Sequence, residues 1–251
     1  MNSSENTPNH SCNNLIFGND VVDLNDLDVV SRNNRILARI FTAGELKLIE
    51  ENNFSKKIIW TLWACKEASF KALQGEFSDI LFRWKSFEVQ KSLQSVRYRD
   101  NELTIKIKDD ENLIHAVASG HMECFHSVMN RSRRIFNSVF SREEIYDALI
   151  REKTEAVPFL KNNKSAEILK EKEYLAFEDM TEHFGNDSAA VRLHGMIEVK
   201  NKFKIPLEEI LVSRVYSRPK TPIYIQKNGE FITRVSFSHH GIYNSVAFPE
   251  R

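Results

Sequence analysis

Asp20 and Asp23 follow Gly18 at the end of an apolar run, and Glu67 lies in the stretch Trp63-Ala64-Cys65-Lys66-Glu67-Ala68-Ser69-Phe70-Lys71. Brought together, such acids supply the hard oxygen ligands that Mg²⁺ takes, leaving positions for water and a phosphate. Lys66 and Lys71 add compact cationic heads suited to phosphate oxygens. Carboxylates on two separate segments beside paired lysines are equipment for holding a divalent ion against a phosphate ester, where positioning and charge neutralisation carry most of the catalysis. Singly, Asp20 reads more readily as an Asx-turn residue and Glu67 as an exposed helix charge. The pair in this spacing favours the metal site.

A third group lies far downstream in Val235-Ser236-Phe237-Ser238-His239-His240-Gly241. The hydroxyl of Ser238 and the imidazole of His239, at a strand-to-turn junction, can bond a phosphate, and histidine can be cationic near neutral pH. The plain alternative is a polar turn between strands. Arg218 and Lys220, in Arg218-Pro219-Lys220-Thr221-Pro222, offer further cations or ordinary loop punctuation. Arg32, Arg35 and Arg39 fall on one face of an expected helix. Lys plus Arg equals Asp plus Glu at 35 each, so an acidic partner would need such a local patch. The cluster Arg131, Arg133, Arg134 lacks interleaved aromatics and is assigned to solvent.

The elements that must position these residues alternate in period. Leu15 to Val22 reads as a buried strand running into a turn, with Asp20 and Asp23 at its exit. A helix is expected over Asp28 to Arg39, and Thr42 starts another with Glu45 as its capping-box partner. Ile59, Leu62, Trp63, Phe70 and Leu73 form a helical stripe from Lys57 to Leu73, with Glu67 and Lys71 on one flank. Phe87 to Val89, Val96 to Tyr98, Leu103 to Ile107 and Leu113 to Ala118 read as an antiparallel meander. Ser127 to Phe203 reads as mostly helical, with a capping box at Ser141 to Glu144 and an amphipathic stretch from Ser188. Strands return at Leu211 to Tyr216, Ile223 to Gln226, Arg234 to Phe237 and Tyr243 to Phe248, with a hairpin turn at Lys227-Asn228-Gly229. Helix then antiparallel strands occurs twice, a weak internal repeat in which only the first half carries the acids and lysines.

Composition narrows the class. With 251 residues, 41% hydrophobic, 17 Phe and 8 Gly, the chain reads as an ordinary globular protein. Zero net charge argues against nucleic acid and anionic membranes as partners. The three cysteines, Cys12, Cys65 and Cys124, have no metal-ligand spacing, which fits a reducing compartment. No apolar run approaches the roughly 18 residues of a membrane span, and the polar start is unlike a signal peptide. Cytoplasmic residence is expected, with residues 1–14 a polar, flexible tail.

Gly18-Asn19-Asp20, Lys66-Glu67-Ala68-Ser69-Phe70-Lys71 and Ser238-His239 together resemble the 4'-phosphopantetheinyl transferase superfamily. Its signature runs G-x-D, then W/F-x-x-K-E-A/S-x-x-K, with a strand ending in Ser-His. The resemblance spans Leu15 to about Leu81 and about Val212 to Phe248. It implies transfer of 4'-phosphopantetheine from coenzyme A to a serine of an acyl or peptidyl carrier protein, with release of 3',5'-ADP. By that resemblance Asp20 and Glu67 bind Mg²⁺, with Asp23 or a water standing in where some members carry an acid and this chain has Val22. Glu67, or a metal-linked water, takes the serine proton, and Lys71 lies near the transferred phosphate. Lys66 contacts the pyrophosphate or stays solvated, while Ser238, His239, Arg218 and Lys220 meet the coenzyme's phosphates. Arg32, Arg35 and Arg39 meet the carrier's acidic helix, as in the small trimeric carrier-protein synthases.

The implied fold is α+β, a monomeric pseudo-dimer of two such halves, 15–125 and 126–251, each an antiparallel sheet packed against helices. Asn19, Val22 and His240 depart from the family pattern, and the Ser-His strand follows the lysine motif where two-lobed members place it first. Two further readings are a silent relative that binds coenzyme A or a carrier protein, and a Mg²⁺-dependent hydrolase of nucleotide pyrophosphates.

Overall fold

The computed structural model describes residues 15–26, 34–74, 77, 80–121, 135–141, 174–175, 186–213, 223–226 and 228–249. Strand β1 (Leu15–Asp23) runs antiparallel to β5 (Leu113–His121), from Leu15 opposite His121 to Asp23 opposite Leu113. With β2 (Glu88–Val89), β3 (Ser95–Tyr98) and β4 (Asn101–Asp109) they make a five-stranded sheet in the order β1-β5-β4-β3-β2. The meander expected after residue 86 is present. In β4, Leu103 and Ile105 are buried while Glu102, Thr104 and Lys106 are exposed, the alternation of a sheet with one covered face.

The cover comes from α1 (Asn34–Ile40), α2 (Ala43–Glu51) and above all α3 (Lys56–Gln74), which has no Gly or Pro in its 19 residues. Thr42 caps α2 as expected: its hydroxyl accepts from the Glu45 N–H while its own N–H donates to Glu45 Oε2 at 2.7 Å. Leu62, Ala64, Leu73, Phe87, Val96, Leu103 and Ile114 fill the core between α3 and the sheet. The smallest residues mark the closest approach. A Cβ on Gly18 would lie 2.3 Å from the Ala68 carbonyl oxygen and 2.4 Å from the Ala72 nitrogen, so β1 and α3 touch backbone to backbone.

The second half is built on α4 (Asn186–Phe203), whose Leu193, Met196 and Val199 pack with Val212, Tyr224 and Phe248. Its strands fall into two sheets. One is β10-β9-β8-β7, using β7 (Tyr174–Leu175), β8 (Ile210–Ser213), β9 (Ile223–Gln226) and β10 (Phe231–Arg234). The other is β11-β12-β6, using β6 (Ile135–Ser141), β11 (Ser236–His240) and β12 (Tyr243–Pro249). The expected β9–β10 hairpin is present, with Gly229 at φ +86°.

Two expectations are refined. Among its described residues the stretch 127–203 is mostly helix, as expected, through α4, but it also holds strands that were not expected: 135–141 is β6, paired along its length with β12, and 174–175 is β7. Ile135, Phe136, Val139 and Phe140 recur at a spacing that satisfies a helical stripe, and pairing with β12 settles the extended form. Ser141 thus closes a strand, and the rest of its expected capping box lies outside the described residues, as do the tail 1–14 and the 131–134 arginine cluster. The single strand expected at Arg234 to Phe237 is two, β10 and β11, divided at Val235. No helix among the described residues is long and apolar enough to cross a membrane.

Candidate functional site

Side chains alternate across a strand, so Gly18, Asp20 and Val22 share one face of β1, and the contact of Gly18 with Ala68 and Ala72 identifies it as the α3 face. One helical turn along α3, Glu67 and Lys71 flank that contact. Lys71 Nζ lies 2.8 Å from Asp20 Oδ1 and 3.8 Å from Glu67 Oε2, so the two carboxylates lie within the sum of those distances of each other. The Asp20 side chain is 7% exposed, against 27% for Glu67 and 26% for Lys71, which makes a buried acid opening to a wet rim.

The other edge of β1 meets the second half of the chain. The N–H groups of Asn19, Val21 and Asp23 donate to Ser236 Oγ (3.0 Å), Ser238 Oγ (3.2 Å) and His240 Nδ1 (3.2 Å). The offset between partners is constant, so β11 runs alongside β1 in the same direction, and its side chains take the place of a neighbouring backbone. Asn19 Nδ2 donates to Ser245 Oγ on β12 at 2.7 Å. Ser238 Oγ also donates to Asp20 Oδ1 at 2.7 Å.

Electrostatics at this junction favour an added cation. Burial raises the Glu67 carboxyl above its usual range, Asp20's charge raises it further, and Lys71 opposes both. Among the described residues, two carboxylates thus share one ammonium. Their oxygens are the donors that Mg²⁺ prefers, and a site short of positive charge fits such an ion. Asp20 and Glu67 are the residues able to hold it; among the described residues no group of three or more His, Cys, Asp and Glu is gathered for a metal. Nearby, burial holds the His115 imidazole down to about 4, and the Cys65 thiol is pushed up to about 12, too high for a nucleophile at neutral pH.

Of the residues expected at the site, Asp20, Glu67 and Lys71 converge. Asp23 does not. Because β1 continues through residue 23, Asp23 points to the opposite face from Asp20. Its Oδ1 accepts from the Asn25 N–H at 2.9 Å and its Oδ2 from the Ile242 N–H at 3.2 Å. Gly241, at φ +55°, leaves room for it: a Cβ there would lie 2.3 Å from Oδ2. Asp23 therefore tethers the β11–β12 turn and is corrected from metal ligand to structural residue.

Lys66 is corrected likewise. It is fully buried, with Nζ 2.8 Å from Glu45 Oε1 and donating to the carbonyls of Trp84 (3.0 Å) and Phe87, which uses all three of its protons. Ser238 lies against Asp20 inside the junction, whereas His239, the next residue along the strand, is exposed on the other face of β11. Arg35 and Arg39 are exposed on α1; Arg32, Arg218 and Lys220 lie outside the described residues. Sequence reasoning missed Ser236, His240 and Ser245 as partners of β1. The signal was there in the every-second-residue series Ser236, Ser238, His240, a polar face on a strand that needs something to bond.

Comparison with known proteins bears on the same segment. Residues 16–118 match the family model described as the 4'-phosphopantetheinyl transferase superfamily, which bears out the resemblance carried by the Gly18-x-Asp20 and Lys66-to-Lys71 motifs; the Ser238-His239 motif lies outside the match. A holo-[acyl-carrier-protein] synthase of Caldicellulosiruptor saccharolyticus is 37% identical over 79 residues, 31% of this chain and 62% of that protein. One from Alkaliphilus oremlandii is 35% identical over 76 residues, 30% of this chain and 61% of its own length. One from Caldicellulosiruptor bescii is 34% identical over 79 residues, 31% and 63%. The chain thus spans somewhat over three-fifths of the length of these relatives.

Proposed function

We propose that this chain is a Mg²⁺-dependent 4'-phosphopantetheinyl transferase, moving the phosphopantetheine of coenzyme A onto a serine of an acyl or peptidyl carrier protein. The convergence of Asp20, Glu67 and Lys71 carries the reading, within the segment that resembles the superfamily. The carrier serine oxygen forms the new bond to phosphorus, the bond to the nucleotide's 5'-phosphate breaks, and 3',5'-ADP leaves. Glu67, or a water held by the metal, receives the serine proton, since a bare hydroxyl is a poor nucleophile at neutral pH. Lys71 sets its positive charge against the transferring phosphate. Asp20 and Glu67 would hold Mg²⁺, which when bound neutralises the diphosphate and polarises the phosphoryl group.

The remaining roles follow from position. Exposed His239, with Arg218 and Lys220, is assigned to the coenzyme's nucleotide, and Arg32, Arg35 and Arg39 to the carrier's acidic surface. We read the fold as a monomeric pseudo-dimer because each half sets its first strand beside its last, β1 beside β5 and β6 beside β12. A cytoplasmic setting, without nucleic-acid or membrane partners, completes the reading.

Mass spectrometry of an apo carrier protein incubated with the chain, coenzyme A and Mg²⁺ tests it. A gain of one phosphopantetheine group supports transfer. Binding without a mass gain would make the chain a silent relative, and cleavage of coenzyme A without carrier protein would make it a pyrophosphate hydrolase.

A further inference from the structure

The structure assigns Ser238 as a positioning residue for Asp20, an inference that rests on reading Asp20 as a metal ligand. A serine hydroxyl has one proton to give. Ser238 Oγ gives it to Asp20 Oδ1 at 2.7 Å and accepts from the Val21 N–H at 3.2 Å. A phosphate oxygen, itself an acceptor, finds no proton left on this group, and the side chain is buried. Ser238 therefore faces the acid and not the coenzyme.

The consequence concerns how one oxygen of Asp20 is occupied. Oδ1 takes bonds from both Lys71 and Ser238, one from α3 and one from β11. With two donors from different halves on one oxygen, carboxylate rotation is restrained, and among the described residues Oδ2 is the oxygen left to present to a cation. A strand that carries none of the site's acids thus orients the acid of the other half.

Ser236 supplies an internal control. It accepts from the Asn19 N–H at 3.0 Å in the same ladder but makes no bond to Asp20 in this arrangement. Both hydroxyls support the junction; Ser238 alone of the two orients the acid.

The test measures Mn²⁺ binding to the coenzyme-free full chain by electron paramagnetic resonance, beside the KM values for Mg²⁺ and coenzyme A and the melting temperature. Ser238→Ala is expected to weaken Mn²⁺ binding about 10–100-fold, the usual effect of losing a partner of a metal ligand. Ser236→Ala is expected to lower the melting temperature by a similar amount while leaving Mn²⁺ affinity unchanged. If Ser238→Ala does not fold, the isosteric pair Ser238→Thr and Ser238→Val isolates the hydroxyl, with only Val losing affinity.

A Ser238→Ala chain with unchanged Mn²⁺ affinity, whether or not its KM for coenzyme A rises, overturns the inference. A wild-type chain that binds Mn²⁺ through Asp20 but transfers nothing overturns the proposed activity and leaves this assignment standing. A wild-type chain that binds no Mn²⁺ overturns both metal assignments.

Discussion

Gly18 and Ala68 are in backbone contact: a methyl group on the glycine would lie 2.3 Å from the Ala68 carbonyl oxygen. That contact seats β1 on α3, and the residue two further along the strand, Asp20, consequently reaches Lys71 at 2.8 Å. Gly18→Ala forces strand and helix apart, because the obstacle is backbone and cannot rotate away. Overpacking of this kind costs about 1–3 kcal/mol or more. Urea unfolding should show the loss, and transfer should fall further than the loss of folded chain explains.

Removing either acid tests the centre of the site. Asp20→Ala and Glu67→Ala are expected to abolish transfer while far-UV circular dichroism stays native. Wild-type turnover by either variant removes the metal pair from the mechanism.

Glu67 also has a stability signature. Its carboxyl is raised above the ordinary 4.5 by burial and by Asp20, so the metal-free native state holds this proton more tightly than the unfolded chain does. Its contribution is therefore most favourable at low pH and is lost as pH rises from about 4.5 through the raised value. Without metal, Glu67→Gln should melt above wild type at pH 7.5, the difference closing below pH 4.5. Mg²⁺ should raise the melting temperature of wild type and not of Glu67→Gln, as scanning calorimetry can check.

Lys66 is expected to behave as a core residue. Lys66→Ala leaves Glu45 buried without its ion-pair partner, a loss of about 3–5 kcal/mol. Thermal melts should drop steeply, while the activity of the remaining folded fraction keeps its KM for coenzyme A. A raised KM with an unchanged melt would return Lys66 to the phosphate.

His115 predicts an acid-sensitive junction. Burial lowers its imidazole from 6.5 to about 4, so the neutral form stabilises the native chain above pH 6.5 and that contribution is lost as pH falls toward 4. The loss is on the order of 2–3 kcal/mol. Denaturant midpoints measured between pH 7 and 4.5 should fall less steeply for His115→Gln than for wild type.

How far these properties can be read from the chain alone differs by residue. The i,i+4 pair Glu67 and Lys71, the Thr42–Glu45 cap and the first-half meander follow from period and local chemistry, because neighbours in sequence set them. Gly18 was legible only as part of the Gly-x-Asp motif, and its backbone contact with α3 came from the tertiary structure. Helix and strand were confused at 135–140, where apolar spacing fits both and β12 supplies the deciding partner.

The linear order left open which distant group each polar side chain would find. Lys66 and Lys71 are equal as residues, yet one is enclosed by Glu45, Trp84 and Phe87 and the other opens onto Asp20 and Glu67. Asp20 and Asp23 differ because the strand ran on through the expected turn. Ser238 met Asp20 because β11 came to lie along an edge of β1 that no strand had filled. A residue's type limits the bonds it can make, and packing between segments far apart in the chain selects which of them form.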